Sequence, residues 1–175
     1  MTMERHVPLI IGYDGSESAR HAITRAALLF AGRPAVVLYA WESLETIAAH
    51  HGVWDSAAPA TLRDADAAAH RAAERVAAEG AALARAAGLD AEPRVDVSPV
   101  GAWETLVRVA DETDAALIVL RARGLRGLRS LMLGSVADGV AHHARQPVLI
   151  VPAPTLAEAR RTRGTPEPTT AGTHA

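Results

Sequence analysis

Residues 117 to 138, LIVLRARGLRGLRSLMLGSVAD, hold the clearest chemical signal in the chain. An apolar run breaks into a loop carrying Arg121, Arg123, Arg126 and Arg129, with Gly124 and Gly127 between them and no acidic residue between 121 and 135. The chain then restarts at Gly134 and Ser135 ahead of a helical pattern. A helix start offers unpaired N–H groups and about half a positive charge, and glycine lets an anion approach the backbone closely. Guanidinium groups add planar donors that match phosphate oxygens. The plainer reading makes Ser135 an N-cap and the glycines turn residues; the arginines tilt the balance toward an anion site.

A second stretch, GYDGSES, leaves an apolar run at Gly12 and Tyr13 and starts a helix near Ser16. Asp14 would repel phosphate directly, so its role toward a ligand is to accept hydrogen bonds from a ribose hydroxyl or an adenine amino group. An aspartate before glycine is equally at home as a turn former. Both readings stay open on this residue alone.

The composition removes several alternatives. The chain has no cysteine, which excludes disulfides, zinc-thiolate sites and iron–sulfur clusters. It also has no lysine and no asparagine, so all 18 basic residues are arginine. A Walker loop, a Schiff-base enzyme and a protein kinase each need a residue that is missing. A formal charge of −2 argues against a general nucleic-acid binder. The N-terminal MTMERHVPLIIGYDGS fits neither a signal h-region nor a membrane span, so the expected location is the cytoplasm, with no membrane partner.

These residues must be positioned by the elements around them. Apolar runs at 7–13, 35–41, 91–97, 115–120 and 147–152 have strand length, and several are continuous rather than alternating, as in strands covered on both faces. Helical patterns at 16–31, 60–88, 101–113 and 135–145 lie between them. Strict β/α alternation predicts a doubly wound α/β sheet of five parallel strands with right-handed crossovers. Ligands of such sheets bind beyond the carboxyl ends of the strands, where the winding reverses. Ser16 and Ser135 are the expected N-caps, Asp138 completes a capping box with Ser135, and Gly32 and Gly88 follow their helices as C-cap glycines. One domain over 1–154 is expected, with a long loop at 42–59 and a disordered tail over 155–175.

Other polar residues give less. Adjacent His142 and His143 point about 100° apart on a helix, poor geometry for a shared metal, and read as residues compatible with the negative helix end. His50 and His51 lack partner spacing, so no metal site is expected. There is no G-x-S-x-G elbow and no spacing of carboxylates that demands acid–base work, so no catalytic residue is expected; hydrolysis of a bound nucleotide would lack a nominated base.

The segments IIGYDGSESARHAITRAA, DETDAALIVLRARG and GLRGLRSLMLGSVADGVAHHARQPVLIVP together resemble the universal stress protein family over residues 5 to 153. Family members that bind ATP share a pattern of Gly, two residues, Gly, nine residues, then Gly-Ser or Gly-Thr. Here Gly124 is the second glycine and Gly134 with Ser135 closes the pattern, but the first glycine is replaced by Arg121. That side chain blocks the pocket, turns outward or pairs with phosphate. The resemblance implies a sheet of order 3-2-1-4-5, the adenine-nucleotide alpha-hydrolase-like arrangement. It also implies an adenine nucleotide (ATP, AMP or ADP, with or without magnesium) as a regulatory ligand. Asp14 would meet the nucleoside, the backbone at Ala40 the adenine, and Arg123, Gly124, Gly134, Ser135 and Val136 the phosphates. Gly12, Tyr13, Leu120 and Arg121, at the ends of the first and fourth strands, complete the expected binding set. Members usually form homodimers through the last strand, here Pro147 to Pro152. The rival expectation is a nucleotide-free dimeric interaction protein with the pocket altered by Arg121.

Overall fold

Leu9, Ile10 and Ile11 are at most 1% exposed, and they face opposite ways: Leu9 and Ile11 enter one apolar cluster, Ile10 another. A strand buried on both faces must lie inside a sheet covered by helices on each side. The computed structural model describes residues 7–42, 59–122 and 134–154, with side chains of the longest helix from Asp64 onward. The expected loop at 42–59 and the tail from 155, with Arg123, Gly124, His50 and His51, therefore lie outside the described residues, apart from Glu42 and Pro59 at the loop's two ends.

The elements follow the expected alternation: β1 (Leu9–Gly12), α1 (Glu17–Phe30), β2 (Pro34–Trp41), α2 (Pro59–Ala86), β3 (Asp90–Val97), α3 (Ala102–Glu112), β4 (Leu117–Arg121), α4 (Ser135–His143) and β5 (Val148–Val151). All strand pairs are parallel, in the order β3-β2-β1-β4-β5. Alanines Ala19, Ala22 and Ala26 of α1, with Ala81 and Ala84 of α2, press onto one face of the sheet. Leu106, Val109 and Ala110 of α3, with Ala137 and Val140 of α4, cover the other. The edge strand β3 is held to α3 by a four-membered ion network, in which Arg94 and Arg108 each contact both Asp96 and Glu112 at 2.6 to 3.1 Å.

Helix ends agree with the sequence in all but one case. The Ser16 hydroxyl accepts from the Ala19 N–H at 3.2 Å, and Gly32 and Gly88 take the positive φ of C-terminal caps, at 75° and 101°. Ser135 is not an N-cap: the extended backbone that a cap needs falls one residue earlier, on Gly134 (φ −62°, ψ 155°), and no side chain caps the helix. Ser135 is already helical, so the expected capping box with Asp138 does not form. Instead the Asp138 carboxylate lies 3.7 Å from His142 Nδ1, one turn on.

The two helices on the second face are locked together by one close approach. A Cβ on Gly139 of α4 would stand 2.5 Å from Trp103 Cγ and 2.8 Å from its Cβ. Farther along, the Trp103 ring stacks on His143 with centroids 4.6 Å apart. This fixes the N-terminal turn of α3 against the middle and C-terminal end of α4. For Gly139→Ala we expect the helix-propensity gain of about 1 kcal/mol to be outweighed by about 1–3 kcal/mol of overpacking. Thermal unfolding should show Tm lowered by roughly 2–8 °C; a raised Tm would contradict this account of the contact.

Candidate functional site

Neighbouring β1 and β4 are followed by helices on opposite faces, and the chain leaves a crevice beyond their carboxyl ends. A cavity of about 210 Å³ lies there. Gly12 forms part of its floor, where space is tight: an added Cβ would stand 2.8 Å from Leu120 Cδ2 and 3.3 Å from Leu106 Cδ2, so those leucine methyls would have to shift. Leu38, Leu106, Leu120 and Val136 make the walls largely apolar, and Tyr39 and Ala40 come from the end of β2.

Polar groups converge on this apolar slot from three directions. The N-terminal turns of α3, at Ala102, and of α4, at Gly134 and Ser135, both line it. Both helices carry glycine at the N-cap, Gly101 and Gly134, and neither has a side-chain cap. Their first N–H groups are left for another acceptor. The third direction is the end of β1, where Asp14 meets Arg121 from the end of β4.

That pair decides where Arg121 goes. Its Nε and Nη2 both donate to Asp14 Oδ2, at 3.0 and 2.6 Å, while the Ser16 N–H donates to Oδ1 at 3.1 Å. The guanidinium therefore neither turns outward nor lies across the cavity unpartnered; it is held against the acid at the cavity wall. Burial pushes the Asp14 carboxyl up, but the hydrogen bonds from Ser16 and the Arg121 charge outweigh burial and hold it below the usual aspartate range. Tyr13 lines the cavity with its ring committed elsewhere. Its hydroxyl donates to Glu79 of α2 at 3.0 Å, and Arg20 of α1 braces the same carboxylate at 2.7 Å.

The structure thus brings Gly12, Tyr13, Asp14, Ala40, Leu120, Arg121, Gly134, Ser135 and Val136 around one cavity. Leu38, Tyr39, Ala102, Leu106 and Ala137 line it as well and were not anticipated. The signal for Ala102 was present: α3 also begins beyond the carboxyl end of a strand, with a glycine at its start. Among the described residues no group of three His, Cys, Asp or Glu side chains is placed to hold a metal, and no helix is long and apolar enough to cross a membrane.

The model of the universal stress protein family matches residues 8–152. The chain belongs to that family. A curated universal stress protein of Synechocystis sp. is 44% identical over 64 residues, 37% of this chain and only 40% of that protein's length. Among solved structures, a universal stress protein family member from Burkholderia pseudomallei is 27% identical, covering 87% of this chain and 100% of that one, with a TM-score of 0.59. Another universal stress protein, solved in complex with cAMP, is 28% identical, covering 83% of this chain and 95% of that one, with a TM-score of 0.56.

The lowered pKa of Asp14 has a consequence for stability. Its pairing contributes fully above the unfolded aspartate value of about 3.9 and is lost as pH falls through the lower folded value. Because Asp14 is 44% exposed, the contribution is at most about 1 kcal/mol. We expect Asp14→Asn to unfold more readily than the wild type near pH 7, with the gap closing as pH drops below about 4. Denaturant titrations at both pH values check this, and a gap independent of pH would contradict it.

Proposed function

We propose that this chain is a regulatory adenine-nucleotide-binding protein of the stress response, acting in the cytoplasm as a homodimer. The observation that carries the reading is the convergence of two helix N-termini without side-chain caps on one apolar cavity that also has an acid and a guanidinium in its wall. Adenine fits the apolar slot at Leu38 and Ala40. Phosphates fit the N–H groups at Gly134 and Ser135, and a ribose hydroxyl fits Asp14. The cAMP complex of the 28% identical relative supports an adenine nucleotide as the ligand class. ATP is the ligand we nominate, with AMP or ADP as close substitutes; a magnesium ion would arrive on the phosphates. No catalytic residue is assigned.

The dimer reading rests on β5. Among the described residues it pairs only with β4, and Val148, Leu149 and Ile150 are half-buried, leaving a largely apolar strand with one edge that no described strand covers. Such an edge is a template for another strand. The rival, a nucleotide-free interaction protein of the same fold, is favoured by one observation: Arg121 already occupies Asp14.

Native mass spectrometry of the protein as purified should show a dimer with nucleotide bound, and calorimetry should show ATP binding. A monomer would remove the homodimer from the proposal, and no heat at millimolar ATP would favour the rival. Ser135→Asp localises the ligand. A carboxylate at the start of α4 suits the helix dipole by about 0.3–1 kcal/mol, so the fold should hold while ATP binding weakens about tenfold or more. Unchanged affinity would place the phosphates elsewhere.

A further inference from the structure

We propose that Arg121 makes the cavity read charge on the ribose ring: a phosphate ester on one ring hydroxyl takes the guanidinium from Asp14, while the free hydroxyl beside it donates to the released carboxylate. The proposal rests on the reading that an adenine nucleotide occupies this cavity.

The pair is built to exchange in one direction. Asp14 is fixed at both ends, by the chain and by the Ser16 N–H on Oδ1, and only Oδ2 is shared with Arg121. Among the described residues, the only side-chain partner of Arg121 is Asp14: Arg121 is the last residue of β4, and its long side chain carries the guanidinium. Nη1 takes no part in the Asp14 contact, so an incoming anion meets an N–H-bearing edge before the pair opens. Both side chains are partly exposed, 26% for Arg121 and 44% for Asp14, so separating them is cheap.

The spacing selects the ligand. Oδ2 and Nη2 are 2.6 Å apart, so ligand groups that satisfy both after a small swing of Arg121 must themselves be neighbours. A hydroxyl and a phosphate ester on adjacent ring carbons meet that condition. A phosphate on the 5′ carbon is set off from the ring hydroxyls by a further carbon, and the uncapped starts of α3 and α4 offer it donors instead. Charge points the same way. With Arg121 present the pair sums to zero, and without it a ring phosphate would face the bare Asp14 carboxylate.

Adenosine 3′-monophosphate and adenosine 5′-monophosphate carry the same atoms and the same number of phosphates, so calorimetry with the two isolates position from charge. We expect the wild type to bind the 3′ isomer about tenfold tighter or more, as a charge-assisted hydrogen bond should. The 2′-deoxy form of that isomer, which has no hydroxyl for Asp14, should bind more weakly. Arg121→Gly should abolish or reverse the preference, and Arg121→Lys, which keeps the charge without the planar fork, should retain part of it. Equal or tighter binding of the 5′ isomer by the wild type overturns the proposal, as does a preference that survives in Arg121→Gly. If neither isomer nor ATP binds, the nucleotide reading itself fails and the proposal falls with it; ATP binding without isomer preference sinks the proposal alone.

Discussion

β1 is buried on both faces, and the geometry of the site follows from that burial. Leu9 and Ile11 bind it to α1 and α2, Ile10 to α3 and α4, so the strand cannot slip by a residue without exchanging its two apolar contact sets. Its register against β2 and β4 is fixed by the same packing. The chain therefore leaves the sheet at Gly12 at one defined height. Because Leu120 and Leu106 close over Gly12 within contact distance, the next residues, Tyr13 and Asp14, emerge beside the end of β4. The Asp14–Arg121 pair is a product of that register rather than a cause of the fold.

The helices around the cavity differ in a way that packing does not require. α1, whose start does not line the cavity, is capped by Ser16; α3 and α4, whose starts do, have glycine at the cap position. A serine, threonine or aspartate there is worth about 1 kcal/mol to a helix. Glycine forgoes that gain and leaves the N–H groups open, an arrangement that favours an external acceptor over local stability. Part of the stability forgone can be recovered by the close contact between α3 and α4, where Trp103 packs against Gly139.

Much of this was legible in the sequence, for physical reasons that differ by element. Continuous apolar runs in β1, β2 and β4 announce strands covered on both sides, and the β/α alternation leaves few topologies. β3, DAEPRVDV, carries the weakest pattern because it is an edge strand whose exposed positions need no apolar residue. The position of the α4 cap was misplaced by one residue: Gly134 and Ser135 are both acceptable caps, and only the backbone decides between them. The partnership of Asp14 with Arg121 joins residues 107 apart in the chain, and no local rule could have paired them. The same holds for Tyr13, whose tyrosine-specific contact is to Glu79 on a helix that the sequence did not connect with the site.

Arg121 shows how a single side chain at a strand end sets the electrostatics of a site without emptying it. A glycine at the end of β4 would leave Asp14 as an uncompensated charge beside the cavity, suited to hydroxyl donors and hostile to a nearby phosphate. The arginine cancels that charge and, together with the hydrogen bond from Ser16, holds the Asp14 carboxyl below the usual aspartate range, favouring the ionised, hydrogen-bond-accepting form. It also adds donors 2.6 Å from the acceptor. The wall therefore offers a donor set and an acceptor set in contact, each satisfying the other until a ligand brings a matching pair of its own. Polar groups so arranged carry little penalty when no ligand is bound, because neither is left unpaired in a partly buried site.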